Sequence, residues 1–121
     1  MPIDYDPIPE PSPFTALKEL RLPLDALRWA PAWATLPTKK ARTPRTVILL
    51  PGFGASPASM RLMETYLRKC GHRVRDWGLG RNTGQAKAFR LKLEGIVRQA
   101  ITEHREPVVL VGWSLGGFIA R

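Results

Sequence analysis

Hydrophobic and polar positions change their period several times along the chain, and each change marks an element. Thr46-Val47-Ile48-Leu49-Leu50 is an unbroken β-branched and leucine run stopped by Pro51-Gly52, the pattern of a strand buried on both faces. Ser56-Pro57 then opens a helix whose stripe is Met60, Met63, Leu67 and Cys70, closed by Gly71, so Cys70 is expected to face the core. A short strand over about 72–77 leads into the glycine-rich loop Gly78-Leu79-Gly80-Arg81-Asn82-Thr83-Gly84. A long helix follows, with Ala86, Phe89, Leu93, Ile96, Val97 and Ala100 at helical spacing and Lys87, Arg90, Lys92 and Arg98 largely off that stripe. Pro107-Val108-Val109-Leu110-Val111-Gly112 reads as another buried strand, and a helix starts at Leu115. Strand then helix, three times over, predicts right-handed crossovers and a parallel sheet of about three strands. The predicted class is α/β.

The first third reads differently. Nine of the twelve prolines fall in residues 1–44, which marks a Pro-rich arm ahead of the body at 45–121. Within the arm, Ser12-Pro13 signals a helix start, with Phe14, Leu17 and Leu20 on one face until Pro23 interrupts. A second short turn offers Leu24 and Leu27. The arm is expected to pack onto the body of a larger protein; the alternative is contact with a membrane surface through Trp29 and Trp33. Thr38-Lys39-Lys40-Ala41-Arg42-Thr43-Pro44 forms a basic linker.

With 121 residues, 44% of them hydrophobic, the chain is sized for one domain at most and is rich enough in apolar residues to build a core. No apolar run approaches the roughly 18–20 residues that cross a bilayer, and the start lacks the basic and apolar regions of a secretory signal. The single cysteine, Cys70, makes no internal disulfide and brings no set of metal ligands. A cytoplasmic setting without cofactor or metal is the expectation. The net charge of +9 is uneven: residues 39–121 hold 16 basic and 5 acidic side chains, which is +11. Such a field would suit anionic lipid or nucleic acid, although no specific nucleic-acid motif accompanies it. A non-catalytic basic module is therefore one functional reading.

The residues that carry chemistry point elsewhere. Gly112-Trp113-Ser114-Leu115-Gly116 is a G-x-S-x-G pattern set between a strand and an apolar helix start. A serine held on a strained turn at the end of a strand needs very small residues two positions before and after it, and glycine supplies both. With Gly and Ser each at ordinary abundance, chance gives on the order of 0.04 such matches in a chain this long. The glycines of the 78–84 loop do not keep nucleotide-binding spacing.

On these residues the chain resembles the α/β-hydrolase superfamily, in particular its bacterial lipase- and esterase-like members. The segment around Ser114 is similar to that family's nucleophile elbow, and Leu50-Pro51-Gly52-Phe53-Gly54-Ala55-Ser56 occupies the place of its oxyanion turn, with Pro51 where histidine is commoner. The resemblance covers about residues 45–121. It implies that Ser114 is the nucleophile and that the main-chain N–H groups of Phe53 and Leu115 hold the oxyanion. It also implies that the Ser114 strand lies beside the first strand and the intervening strand on the other side, with Leu50, Trp77 and Gly112 along one sheet edge. Phe53 and Trp113 would line an acyl pocket, and the overhanging 78–84 loop would either reach substrate through Arg81 or Asn82 or serve equally well as a plain flexible connection. The implied substrate is a small-molecule or lipid ester, with peripheral membrane contact a possible accompaniment. Acyltransferases, peroxidases and carbon-carbon hydrolases share the scaffold and are other reactions it allows.

A serine needs a general base, and in this family the acid and histidine follow the serine in the chain. Only seven residues follow Ser114. His104 precedes the Ser114 strand and should stand on the order of 15–20 Å from it; His72 begins its own strand at the same distant edge. Asp76 lies near the correct edge but has no imidazole to orient. The sequence is therefore expected to be the amino-terminal piece of a longer hydrolase, nearly inactive alone.

Overall fold

Strand β1, Thr46–Leu50, runs through the middle of a three-stranded parallel sheet ordered β2-β1-β3, with β2 at Arg73–Asp76 and β3 at Val108–Gly112. In this computed structural model residues 28, 31, 32 and 34–121 are described. The helices predicted around Phe14 and Leu24, and the side chains of Trp29 and Trp33, lie outside the described residues. The chain divides into two units at Leu36 and Pro37. In the first, Pro31, Ala32, Ala34 and Thr35 are helical, and the Thr35 hydroxyl donates back to the Pro31 and Ala32 carbonyls.

In the second unit β1 is buried along its whole length, as its unbroken apolar run predicts, and its side chains alternate between two cores. Ile48 and Leu50 join Trp77, Leu93, Ala100 and Ile119 on one face. Val47 and Leu49 join Met60 and Val74 on the other. The helices follow from the strand order. Helix α1, Arg61–Lys69, connects β1 to β2 and packs Met63 and Leu67 against the second core. The path from β2 to β3 crosses the sheet in the opposite direction, so with unchanged handedness its helix must lie on the opposite face. Helix α2, Ala86–His104, and helix α3, Leu115–Ala120, indeed cover the first core through Phe89, Ile96, Val97, Leu115 and Ala120.

Two elements depart from the pattern read in the sequence. The first turn after Ser56-Pro57 is a 3-10 helix, Pro57–Met60, and the α-helix begins only at Arg61. Ser59 donates both its main-chain N–H and its hydroxyl to the Ser56 carbonyl, which favours the tighter three-residue spacing. Met60 and Cys70 are buried as expected. Strand β3 is not enclosed like β1: Val109 is 42% exposed, because among the described residues β3 pairs only with β1. An apolar run of five residues does not by itself distinguish an interior strand from an edge strand.

At the amino-terminal edge of the sheet, one carboxylate ties the three strand starts together. Glu106, just before β3, accepts hydrogen bonds from the Thr46 N–H at 3.1 Å, from the Thr46 hydroxyl at 2.9 Å and from the Arg73 guanidinium. The Arg73 bond, reinforced by Thr46, holds the Glu106 carboxyl below the usual carboxylate range. A depressed folded-state value means stability that is present above the unfolded value and is lost as pH falls through the folded one. Glu106→Gln is expected to lower the melting temperature at neutral pH, with the deficit shrinking toward acid as the wild-type carboxylate is itself protonated. A pH series of thermal melts on both proteins checks this.

Candidate active site

Loops from the carboxyl ends of β1 and β3 leave the sheet toward opposite faces, the first to α1 and the second to α3. Open parallel sheets bind ligands in the crevice at such a switch point. The register aligns Leu50 with Gly112 and Leu49 with both Val111 and Asp76, so Leu50, Trp77 and Gly112 reach one edge together. At this edge the chain makes its tightest turn.

Ser114 follows β3 with φ 50° and ψ −119°, a left-handed backbone on a residue that is not glycine. Such a conformation costs about 1–3 kcal/mol and persists only where its surroundings impose it. Here they do. A β-carbon on Gly112 would stand 2.3 Å from the Gly116 carbonyl carbon and the Gly117 nitrogen, and one on Gly116 would stand 2.4 Å from the Leu50 carbonyl oxygen. Both distances are far inside contact, so only glycine lets helix α3 start against the ends of β1 and β3. The Trp113 N–H donates to the Leu50 carbonyl at 3.0 Å, and the Gly117 N–H donates to the Ser114 carbonyl at 2.9 Å. Held from both sides, Ser114 remains exposed at the rim.

The β1 end supplies the second wall. Gly52 to Ala55 form a β-turn closed by the Ala55 N–H on the Gly52 carbonyl at 3.1 Å, with Gly54 at φ 72°, the signature of a type II turn. A β-carbon on Gly52 would lie 3.0 Å from Trp113 Cδ1 and 3.6 Å from Ser114 Cβ, so this turn sits directly beside the serine. Among the described residues, neither the Phe53 N–H nor the Leu115 N–H finds a hydrogen-bond acceptor. Phe53 is at a turn position that leaves its amide unused, and Leu115 is the first residue of α3, where the helix itself offers no acceptor.

 Residues 47–121, more than half of the chain, match the family model described as "Alpha/beta hydrolase family". The chain belongs to the α/β-hydrolase family. No curated protein and no solved structure matches it. The three-stranded parallel sheet with its crossover helices is that of a partial α/β-hydrolase fold.

Several residues singled out in the sequence occupy other roles in this hydrolase fold. Phe53 and Trp113 are 72% and 69% exposed, so they form open apolar flanks to Ser114 and do not enclose a pocket. Asn82, one candidate for reaching substrate, is fully buried, and Arg81 donates to the Gly54 carbonyl. Both fasten the loop after β2 to the turn after β1. The Asp76 carboxylate accepts the Gly78 N–H at 2.6 Å and is spent on closing its own turn. His72 Nδ1 accepts the Arg45 N–H at 3.2 Å at the start of β1, and His104 ends α2, so both histidines stand at the edge away from Ser114. Cys70 is buried. Part of the positive charge is paired: Arg68 with Glu64, Arg73 with Glu106, Arg75 with Glu103 and Arg90 with Glu94. Among the described residues no group of His, Cys, Asp and Glu could hold a metal ion, and no helix is long and apolar enough to cross a membrane.

The role missed in the sequence is that of Gly84. It has φ 87°, and a β-carbon there would meet the Phe53 ring at 2.8 Å, so it is the seat on which that ring rests. The signal was present as Asn82-Thr83-Gly84, an Asn followed two residues later by Gly, which is typical of side-chain-closed turns.

Two outcomes check this geometry. Gly116→Ala is expected to destabilise the fold by at least about 3 kcal/mol, read from denaturant unfolding. Ser114→Gly is expected to be more stable than Ser114→Ala by about 1 kcal/mol, since both lose the hydroxyl and only glycine relieves the left-handed backbone.

Proposed function

We propose that this α/β hydrolase is a serine hydrolase of carboxylic esters, with Ser114 as its nucleophile. The observation that carries the reading is the left-handed backbone of an exposed Ser114, imposed at the switch point of the sheet beside a turn with an unused amide. In the proposed reaction Ser114 Oγ forms a bond to the ester carbonyl carbon while its proton passes to a base. The carbonyl electron pair moves onto oxygen, and the N–H groups of Phe53 and Leu115 stabilise that oxyanion. Collapse expels the alcohol and leaves an acyl-serine, which water then hydrolyses. Phe53 and Trp113 would flank the acyl chain, which favours an apolar acyl group in a small-molecule or lipid ester. The base is not among the described residues, since neither histidine of the chain lies at this edge.

A fluorophosphonate probe tests the nucleophile. In the full-length protein it is expected to modify Ser114, located by peptide mass mapping, and Ser114→Ala is expected to abolish labelling. A folded protein left unlabelled at Ser114 would exclude the assignment. Profiling with short and long acyl esters, against amide and thioester analogues, then tests the substrate class.

A further inference from the structure

We infer that Asn82 is a positioning residue for the oxyanion turn: its side chain and main chain clamp residues 51–55 so that the Phe53 amide is aimed and left unspent. This rests on the reading of Ser114 and Phe53 given above. Asn82 is a polar side chain with no exposed surface, and its hydrogen bonds account for its burial. Its Nδ2 donates to the Pro51 carbonyl at 2.9 Å, and its Oδ1 accepts the Gly84 N–H at 3.1 Å. Its main-chain N–H donates to the Ala55 carbonyl at 2.9 Å, and its carbonyl accepts the Gly54 N–H at 2.7 Å. Arg81 adds a bond to the Gly54 carbonyl.

Together these bonds hold the turn at Pro51, Gly54 and Ala55 and pass over Phe53, whose N–H keeps no partner among the described residues. Through Oδ1 the same side chain fixes Gly84, on which the Phe53 ring is seated. The backbone carrying the amide and the side chain of the same residue are thus set by one buried amide group. The loop itself is anchored to the core, because the Trp77 Nε1–H donates to the Gly80 carbonyl at 2.9 Å and the Trp77 ring lies 4.8 Å from that of Phe89. An oxyanion donor contributes only when it is aimed at the developing charge before reaction, and displacement on the order of 1 Å can cost about a hundredfold in rate.

The test compares Asn82→Asp, Arg81→Ala and a remote core variant, Val74→Ala, in the full-length protein. Asn82→Asp keeps the side chain's size and an acceptor for Gly84 but replaces the donor to Pro51 with an oxygen. It is expected to slow the maximal rate of Ser114 acylation by a fluorophosphonate about 10- to 100-fold, with the half-saturating probe concentration little changed. Arg81→Ala, at an exposed position, is expected to slow it by a few-fold. Val74→Ala should lower the melting temperature and leave the acylation rate near wild type, separating positioning from stability. Hydrogen exchange is followed in parallel, with faster exchange of the Gly54 amide expected in Asn82→Asp. If Asn82→Asp acylates as fast as Val74→Ala, the proposal is overturned. If wild type is not acylated at all, the Ser114 reading fails, and unchanged Gly54 exchange in Asn82→Asp would independently overturn the clamp.

Discussion

Main chain meets main chain where helix α3 starts against the end of β1, and the geometry of the candidate site depends on that contact. Gly116 lies so close to the Leu50 and Pro51 carbonyls that no β-carbon fits between them, and the Trp113 N–H closes the same junction onto Leu50. This approach forces the chain to reverse within a few residues, and Ser114 absorbs the reversal in a left-handed backbone. It also brings the 52–55 turn beside the serine. The strain of about 1–3 kcal/mol at one residue is offset by a core that buries β1 on both faces.

Much of the fold was legible because its signals are local and periodic. The β1 run, the α2 stripe and the Gly-x-Ser-x-Gly turn are each contained within about fifteen residues, and the sheet order followed from the family resemblance. The exposure of β3 was not legible, since an apolar run does not say whether a neighbouring strand is present. The 3-10 start of the first helical segment depends on how Ser59 bonds to Ser56, which apolar periodicity does not record. The tight turn at Ser114 was legible, because sterics dictate glycine at 112 and 116. The site was left open at Arg81 and Asn82, where a polar side chain in a glycine-rich loop suits ligand binding and internal hydrogen bonding equally well. Only the full burial of Asn82 separates the two.

The two edges of the sheet are built on different principles. At the amino-terminal edge, polar groups are matched to one another: Glu106 is shared between Thr46 and Arg73, and His72 accepts the Arg45 amide. At the carboxyl-terminal edge, next to Ser114, two amides have no acceptor among the described residues, and two aromatic rings face outward. Exposed apolar area costs stability, and amides left out of the internal hydrogen bonding add none, which is why the two are informative when they cluster. A fold that satisfies its polar groups at one edge and leaves donors free beside a strained hydroxyl at the other has concentrated its local inconsistencies in one place, as functional sites do.

That concentration also explains why the loop after β2 is held so firmly. A turn whose Phe53 amide is unpartnered among the described residues does not use that amide to hold itself in place, so its rigidity has to come from elsewhere. The neighbouring carbonyls and the Gly54 amide supply it through Asn82 and Arg81, while Trp77 carries the constraint into the core. Buried polar networks of this kind stabilise only when every member is satisfied, and among the described residues no buried side-chain nitrogen or oxygen lacks a partner. The Phe53 and Leu115 amides, without an acceptor among the described residues, are main-chain groups at the rim, and in the proposed reaction a substrate oxygen would be their acceptor.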